Sequence, residues 1–200
     1  MKSTPSVLII FAHPYREQSR VHNALIAAVK DIPRVSVLDL YAEYPDFYID
    51  VAAEQNRLLQ HDLLIFQHPI YWYSCPPLMK EWMDAVLLRG WAYGAGGDAL
   101  KGLDYIQVLS TGGPDSAYIR KGESRFSMTE LLRPFEAMAN MCGWNYYQPF
   151  LMQGVNGFDE EQLQVYGDLY RQFIERYLAE GNASLVRLDS SKSTEEGKPA

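Results

Sequence analysis

The amino-acid sequence predicts an α/β protein in which helices cover both faces of a parallel sheet. Short apolar runs alternate with longer segments of helical period along the chain. The first run, Val7 to Ala12, has no polar residue, as expected for a strand that is buried on both faces. Five strand-and-helix units repeat in this way, and such alternation requires crossover helices between parallel strands. The 200 residues, 48% of them hydrophobic, are enough for one globular unit.

The predicted elements follow one another in a regular order. Strands are predicted over residues 7–12, 35–40, 63–66, 105–110 and 146–152. Helices are predicted over residues 19–30, 51–60, 127–141 and 160–178. A further helix is predicted to begin at Pro77 and to end at Gly90, because proline is favoured in the first helical turn and glycine just after the last.

Five parallel strands favour the flavodoxin-like order 2-1-3-4-5, a three-layer sandwich, over the six strands of a dinucleotide-binding fold. Residues 1–180 are predicted to form this single domain. Residues 181–200 are predicted to be a disordered tail, because the segment from Ser190 to Pro199 has no apolar residue to bury.

Composition excludes several classes of protein. A formal net charge of −7 argues against nucleic acid as a partner, because neutralising phosphates requires a surplus of lysine and arginine. Cys75 and Cys142 are too few for a disulfide framework and are expected to be reduced, which favours the cytoplasm. The first apolar run is too short for a signal peptide, and no run approaches the ~20 apolar residues that span a bilayer. Any membrane role is therefore expected to be peripheral.

The first candidate site segment follows the first strand. In a sheet of this order, ligands bind in the crevice outside the carboxyl ends of the strands, where the strand order reverses. Ser19 stands there at the start of a predicted helix, beside Arg20 and between His13 and His22. Helix N-termini offer free amide donors to a phosphate group. The alternative for Ser19 alone is that its hydroxyl caps the helix.

The second segment is the stretch QHPIYWYSCPP, from Gln67 to Pro77, which is predicted to be a turn after the third strand. Tyr71, Trp72 and Tyr73 are consecutive aromatic residues where polar turn residues are usual. An isolated aromatic cluster is best explained by packing or by contact with a second subunit. At the point where the strand order reverses, however, these residues offer flat walls to a planar ligand.

The third segment, Ser110-Thr111-Gly112-Gly113, follows the fourth strand and offers hydroxyls together with backbone that a ligand can approach closely. The alternative is a simple glycine turn. Together the three segments provide a phosphate anchor, an aromatic wall and a row of backbone donors. Flavin mononucleotide requires all three.

On these segments the chain resembles the NAD(P)H:quinone oxidoreductases of the flavodoxin-like superfamily. Within that family it is most similar to the ancillary subunits of glutathione-gated potassium efflux systems of bacteria. The matching segments are FAHPY (residues 11–15), YPDFYID (44–50), QHPIYWYSCPPLMKEWMD (67–84), RGWAYGAGG (89–97), STGGPDSAY (110–118) and LRPFEAMANMCG (132–143).

The resemblance implies roles for individual residues. It implies phosphate and ribityl contacts from His13, Ser19, Arg20, Val21 and His22, flavin-ring contacts from Ile70, Tyr71, Trp72 and Tyr73, and a binding loop of Ser110, Thr111, Gly112 and Gly113. Tyr118 matches the catalytic tyrosine that the family places over the reacting ring. The family often has asparagine at the position of His22. The histidine that accompanies the tyrosine in better-known quinone reductases has no counterpart, since Ser124 and Arg125 occupy that neighbourhood.

The implied activity is two successive hydride transfers at one flavin, from NAD(P)H and then to a quinone. FMN is the expected cofactor, with FAD as the alternative. A regulatory flavin-binding module that docks on the cytoplasmic face of a potassium efflux antiporter is a competing function, and azo or nitro reduction also stays open. The resemblance implies a homodimer, whose interface and substrate mouth could include Trp91 and Tyr93.

The remaining histidines and cysteines are expected to be structural. His61 and His68 lack the spaced partners that a metal site needs, so no metal is predicted. His61 is interpreted as a surface group and His68 as a hydrogen-bonded turn residue. Cys75, next to two prolines, is expected to pack in the interior, as free cysteines commonly do.

Overall fold

A parallel β-sheet with helices on both faces forms the protein, and the computed structural model describes residues 4–187. The strands are β1 (Val7–Phe11), β2 (Val35–Asp39), β3 (Leu63–Pro69), β4 (Asp104–Thr111), β5 (Asn145–Tyr146) and β6 (Phe150–Gln153). The helices are α1 (Arg20–Val29), α2 (Leu40–Glu43), α3 (Val51–Leu59), α4 (Pro77–Val86), α5 (Met128–Leu131), α6 (Arg133–Met141) and α7 (Glu160–Glu180). Within this part of the chain, no helix combines the length and the apolar character needed to cross a bilayer.

The strand order confirms the predicted fold class. The sheet runs β2-β1-β3-β4-β5, and every pairing within it is parallel. All five residues of β1 and all seven of β3 are buried, which is why these strands are nearly uniformly apolar in sequence. The strand order reverses between β1 and β3, so their carboxyl ends lie beside each other at one edge of the sheet.

The predicted fifth strand is divided into two. Both β5 and β6 pair with β4, and the chain leaves the ladder between them at residues 147–149. Pro149 has no N–H to donate to a ladder, and the Gln148 N–H instead donates to the Val186 carbonyl at 2.9 Å. The structured chain therefore continues past residue 180, and Gly181–Ser184 forms a 3₁₀ turn. The rest of the predicted tail, residues 188–200, lies outside the described residues.

Three further boundaries differ from the prediction. The helix expected over residues 127–141 is divided into α5 and α6 at Leu132, because Pro134 lacks the N–H that would continue the helix and instead occupies the first turn of α6. Strand β3 continues to Pro69, so Gln67 and His68 belong to a buried strand and not to a turn. Helix α4 ends at Val86, earlier than the predicted end at Gly90.

A buried carboxylate fixes α4 against α3. Glu54 of α3 is fully buried and accepts hydrogen bonds from the Trp82 Nε1–H at 2.9 Å and the Tyr44 hydroxyl at 2.8 Å. Arg57 lies 3.3 Å from the same carboxylate. The Trp82 bond attaches α4, which begins directly after the aromatic segment, to α3.

Candidate functional site

The aromatic segment forms a tight two-residue turn immediately after β3. Tyr71 and Ser74 exchange two backbone hydrogen bonds of 3.1 and 3.0 Å, which enclose Trp72 and Tyr73. Both enclosed residues have left-handed backbone, with φ of 47° and 65°. Turns with two positive φ angles normally hold asparagine and glycine, because a side chain in this region costs about 1 to 2 kcal/mol per residue. A tryptophan and a tyrosine in these positions are therefore strained.

This strain does not serve packing. Trp72 is 94% exposed and Tyr73 is 50% exposed. A hydrogen bond of 2.8 Å from the Ile70 N–H to the Ser110 carbonyl attaches the turn to the end of β4. The turn thus presents two flat side chains to solvent beside the third segment, and strained residues of this kind concentrate at functional sites.

The glycines after β4 lie close to the side chains of other residues. Neither Gly112 nor Gly113 has the positive φ that would be typical of a turn glycine. A Cβ atom added at Gly112 would lie 2.9 Å from Nδ2 of Asn156, and one added at Gly113 would lie 3.6 Å from Cε2 of Tyr118. The Gly154 N–H also donates to the Gly113 carbonyl at 2.8 Å. The absence of a positive φ and the approach of Asn156 to Gly112 favour a backbone that is closely approached over a simple glycine turn.

The start of α1 carries an unpartnered polar group. The Ser19 hydroxyl is buried and has no hydrogen-bond partner among the described residues. It does not cap the helix, since it accepts no bond from the amides of the first turn. Those amides have no acceptor within the helix itself. A buried hydroxyl beside free amide donors is the chemistry that a phosphate group needs.

Arg20 and Val21 are also predicted contact residues, but their side chains make their contacts elsewhere in the protein. The Arg20 guanidinium donates to the Phe158 carbonyl at 3.0 Å and to Glu160 at 2.6 Å, so it is directed toward the start of α7. The Val21 side chain is buried in the core on the α7 face of the sheet. Neither side chain is therefore free to contact a ligand.

The two histidines join the segments to one another. His22 is fully buried in α1 and its Nε2 forms a 2.8 Å hydrogen bond with the Ser110 hydroxyl of β4. Burial lowers the pKa of His22 well below its usual value, with smaller contributions from the neighbouring His68 and His13, so the ring is neutral at pH 7. The His13 ring, in the loop after β1, lies 6.0 Å from the Tyr71 ring. The three predicted segments consequently meet at one place.

The other histidines and the cysteines are structural. His68 is buried in β3, where its Nδ1–H donates to the Pro69 carbonyl at 2.9 Å and burial lowers its pKa to about 4. Its interpretation as a turn residue was wrong because β3 extends further than predicted. His61 is partly buried and bonds to the Arg57 carbonyl and the Ser36 hydroxyl. Between residues 4 and 187, no three histidine, cysteine or acidic side chains group in a way that could hold a metal ion.

Both cysteines are free and buried. Burial raises the pKa of each thiol, which disfavours the reactive thiolate. Cys75 belongs to the core cluster on the α4 face of the sheet, which confirms the packing role expected for it.

Sequence reasoning missed the loop after β6. Asn156 reaches Gly112, and Gly154 bonds to Gly113, so this loop forms one side of the site. The pair Asn156-Gly157 indicates a turn in the sequence. Only the pairing of β6 with β4 shows that the turn lies against the glycine segment.

A parallel sheet of order 2-1-3-4-5 with a crevice at the carboxyl ends of β1 and β3 defines the flavodoxin-like class. A family model described as having a flavodoxin-like fold matches residues 5–180. The chain belongs to the flavodoxin-like NAD(P)H quinone reductase family.

Particular relatives are similar over nearly the whole chain. A glutathione-regulated potassium-efflux system ancillary protein, KefG of Yersinia enterocolitica, is 42% identical over 90% of this chain and 98% of its own. The general stress protein 14 of Treponema denticola, solved in complex with FMN, is 43% identical with a TM-score of 0.78, covering 90% and 99% of the two chains. An NADPH-quinone reductase from P. pentosaceus is 33% identical with a TM-score of 0.76, covering 84% and 96%. The resemblance inferred from the motifs is confirmed.

Proposed function

We propose that the protein is an FMN-dependent NAD(P)H:quinone oxidoreductase. The observation that carries this proposal is the strained, exposed turn of Trp72 and Tyr73, held beside the segment that contains Gly112 and Gly113. A planar ring needs a flat wall on one side and backbone donors at its edge. The FMN found in the relative from Treponema denticola supports the mononucleotide over the dinucleotide.

The residues present fit the parts of FMN. The Ser19 hydroxyl and the first amides of α1 would hold the phosphate, Trp72 and Tyr73 would flank the ring system, and the Gly112 and Gly113 amides would bond to its polar edge. When bound, the flavin supplies hydride transfer from NAD(P)H to a quinone that takes the same place in turn. The glycine amides, as fixed donors, stabilise negative charge at that edge without reorganising.

Tyr118 is the proposed catalytic residue. Its ring lies against Gly113, with the hydroxyl 3.7 Å from where a Cβ of that glycine would be. From this position the hydroxyl can donate a hydrogen bond to the oxygen of a quinone as negative charge develops on it. Ser124, in the neighbourhood where better-known quinone reductases have a histidine, donates within its own loop to the Phe126 carbonyl at 2.6 Å.

A Tyr118→Phe variant is expected to slow quinone reduction by about one to two orders of magnitude, because one donor to the developing charge is lost. FMN affinity and the rate of reduction by NAD(P)H are expected to stay unchanged. Stopped-flow measurement of each half-reaction in a single turnover separates the two rates. Tyr48→Phe is the matched control, since Tyr48 is 83% exposed and lies in a different loop. An unchanged rate of quinone reduction would reject the role of Tyr118.

A Ser19→Ala variant separates a phosphate contact from a helix cap. If the hydroxyl contacts phosphate, FMN binding is expected to weaken about tenfold, because hydrogen bonds to charged groups contribute roughly 1.5 to 3 kcal/mol. The stability of the protein without flavin is expected to change little, since no cap is lost. Fluorescence titration with FMN and urea unfolding measure the two quantities. A loss of about 1 kcal/mol in the flavin-free protein with unchanged FMN affinity would favour capping.

The most direct test of the proposed cofactor is the absorption spectrum of gently purified protein. Mass analysis of the small molecule released on denaturation then distinguishes FMN from FAD. Colourless protein that also fails to bind added FMN would overturn the proposal. Initial rates at several concentrations of NAD(P)H and quinone test whether the two substrates bind in turn at one place. If they do, the double-reciprocal plots are expected to be parallel lines.

A second proposed function is docking on a potassium efflux antiporter. It is favoured by the 42% identity to an ancillary protein of such a system. The proposed location is the cytoplasmic face of the membrane, reached as a peripheral homodimer. Co-sedimentation of the purified protein with vesicles that contain the antiporter tests docking, and vesicles without the antiporter are the control. Equal binding to both kinds of vesicle would contradict it.

A further inference from the structure

The loop that follows Tyr118 is unusual in its charge. Residues 119–126, named here the basic loop, carry Arg120, Lys121 and Arg125, against the single carboxylate of Glu123. All three cations are exposed. The protein as a whole carries a net charge of −7. A concentration of positive charge beside the proposed reaction site therefore needs an explanation.

The basic loop is folded against the site. Its Ser124 N–H donates to the Ala117 carbonyl at 3.0 Å, which returns the loop to the turn that precedes Tyr118. A Cβ atom added at Gly122 would lie 2.3 Å from the Ser116 carbonyl oxygen, so only glycine allows this contact. Arg125 has left-handed backbone, with φ of 59°. These contacts give the loop a defined shape directly after Tyr118.

The other loops at the carboxyl edge of the sheet offer no free cation. They span residues 12–19, 40–50, 70–76 and 154–159, and their only lysine or arginine is Arg16. Arg16 is paired with Asp39 at 2.6 Å. The loop over residues 40–50 carries Glu43, Asp46 and Asp50 and no cation. Apart from the start of α1, which is proposed to hold the FMN phosphate, the basic loop is the part of this edge whose side chains attract a dianion.

Two cations of the basic loop are available. Arg120 is paired with Glu130 at 2.9 Å. Lys121 and Arg125 form no ion pair among the described residues. The nearest acidic groups in sequence are Glu123 in the loop, Asp115 before it and Glu130 after it, and Glu130 is the partner of Arg120. Two unpaired cations on one fixed loop suit a phosphate dianion, which accepts charge-assisted hydrogen bonds from both.

We propose that the electron donor is NADPH and that Lys121 and Arg125 bind the 2′-phosphate of its adenosine. The inference rests on the proposed function, because a donor whose nicotinamide lies beside Tyr118 must extend its adenosine half over a neighbouring loop. The basic loop is the one whose charge matches the 2′-phosphate. NADH carries a hydroxyl at the same position and gains nothing from these cations. The proposed preference for NADPH over NADH therefore comes from the positive charge of the basic loop.

The kinetic test compares NADPH with NADH in FMN-loaded protein. Lys121→Gln and Arg125→Asn each remove one charge, and asparagine tolerates the left-handed backbone at residue 125. Each variant is expected to lower kcat/KM for NADPH about tenfold while kcat/KM for NADH stays within about twofold. Lys30→Gln, an exposed charge at the far end of α1, is the matched control and is expected to leave the ratio unchanged. Equal losses with both donors, or an unchanged ratio, would overturn the proposal.

A binding test does not depend on turnover. Adenosine 2′,5′-bisphosphate is expected to bind the unmodified protein about tenfold more tightly than adenosine 5′-monophosphate, and the double variant is expected to lose this difference. Isothermal titration calorimetry measures both affinities. Turnover with NADH and NADPH alike, without selective binding of the bisphosphate, would reject this inference and leave the proposed function standing. Failure of FMN binding or of quinone turnover would reject the proposed function, and the calorimetric result would still decide whether the basic loop binds the 2′-phosphate.

Discussion

A Gly112→Val variant is expected to bind FMN about a hundredfold more weakly than the unmodified protein, a loss of roughly 2 to 3 kcal/mol. A Cβ at this residue would lie 2.9 Å from Nδ2 of Asn156, so the larger side chain must displace either the Asn156 side chain or the Gly112 backbone. A shift of the backbone moves the amides proposed to bond to the polar edge of the flavin, and a shift of Asn156 displaces a side chain that lines this part of the site. Fluorescence titration with FMN gives the dissociation constant.

The matched control for this variant is Gly157→Val. A Cβ added at Gly157 would have no atom within 4 Å, although this glycine belongs to the same loop after β6. FMN affinity in the control is expected to stay within about twofold, because no packed contact is disturbed. Thermal unfolding of both variants shows whether either has lost its fold. Unchanged FMN affinity in a folded Gly112→Val protein would contradict the proposed binding role of the glycine segment.

The same variant separates the two proposed functions. A folded Gly112→Val protein that no longer binds FMN cannot turn over quinones by the proposed chemistry. If it still activates potassium efflux when added to vesicles that contain the antiporter, docking does not need the flavin. If the activation of potassium efflux and the quinone turnover are lost together, both depend on the flavin site.

A Glu54→Ala variant is expected to destabilise the protein by about 3 to 5 kcal/mol, which is a large part of the usual 5 to 15 kcal/mol of a domain. The change leaves the Trp82 Nε1–H and the Tyr44 hydroxyl without their acceptor, and both side chains are buried. Arg57 is 33% exposed and can turn to water, so most of the loss comes from the two buried donors. Urea unfolding at neutral pH measures the free energy.

Glu160→Ala is the control for the loss of an acidic side chain. Glu160 is paired with Arg20, but its side chain is 86% exposed, and exposed ion pairs contribute about 1 kcal/mol or less. If Glu54→Ala destabilised the protein no more than Glu160→Ala, Glu54 would not hold α3 and α4 together as inferred. A normal fold in Glu54→Ala with a displaced α4 would show in weaker FMN binding, because α4 begins directly after the aromatic turn.

Much of the fold could be predicted because a buried strand has an apolar sequence that can be recognised locally. β1 and β3 are buried along their whole length, so nearly every residue in them is apolar and the strands are recognisable without any neighbour. The prediction failed where a boundary depends on a distant partner. Strand β3 includes the polar residues Gln67 and His68 because β4 continues beside them, and their own pattern indicated a turn.

The candidate site, like the fold, could be predicted only in part from the sequence. Its three segments could be located from the sequence, since each follows a buried strand and the fold class brings the carboxyl ends together. The sequence alone left two meanings open for each segment. The structure shows that the Ser19 hydroxyl does not cap α1 and that Gly112 and Gly113 lack the positive φ of a typical turn glycine, and their ligand contacts stay a prediction.

The sequence by itself determined the α/β class and the segments of the crevice, because these follow from periodicity and composition within short stretches of chain, and the strand order was predicted from the number of strands. Only the tertiary structure decided that Trp72 and Tyr73 are strained and exposed, that Asn156 lies against Gly112, and that Lys121 and Arg125 form no ion pair within residues 4–187. These properties depend on which distant residues come into contact. The local sequence pattern indicates whether a residue is buried, but it does not indicate which distant residue contacts that residue.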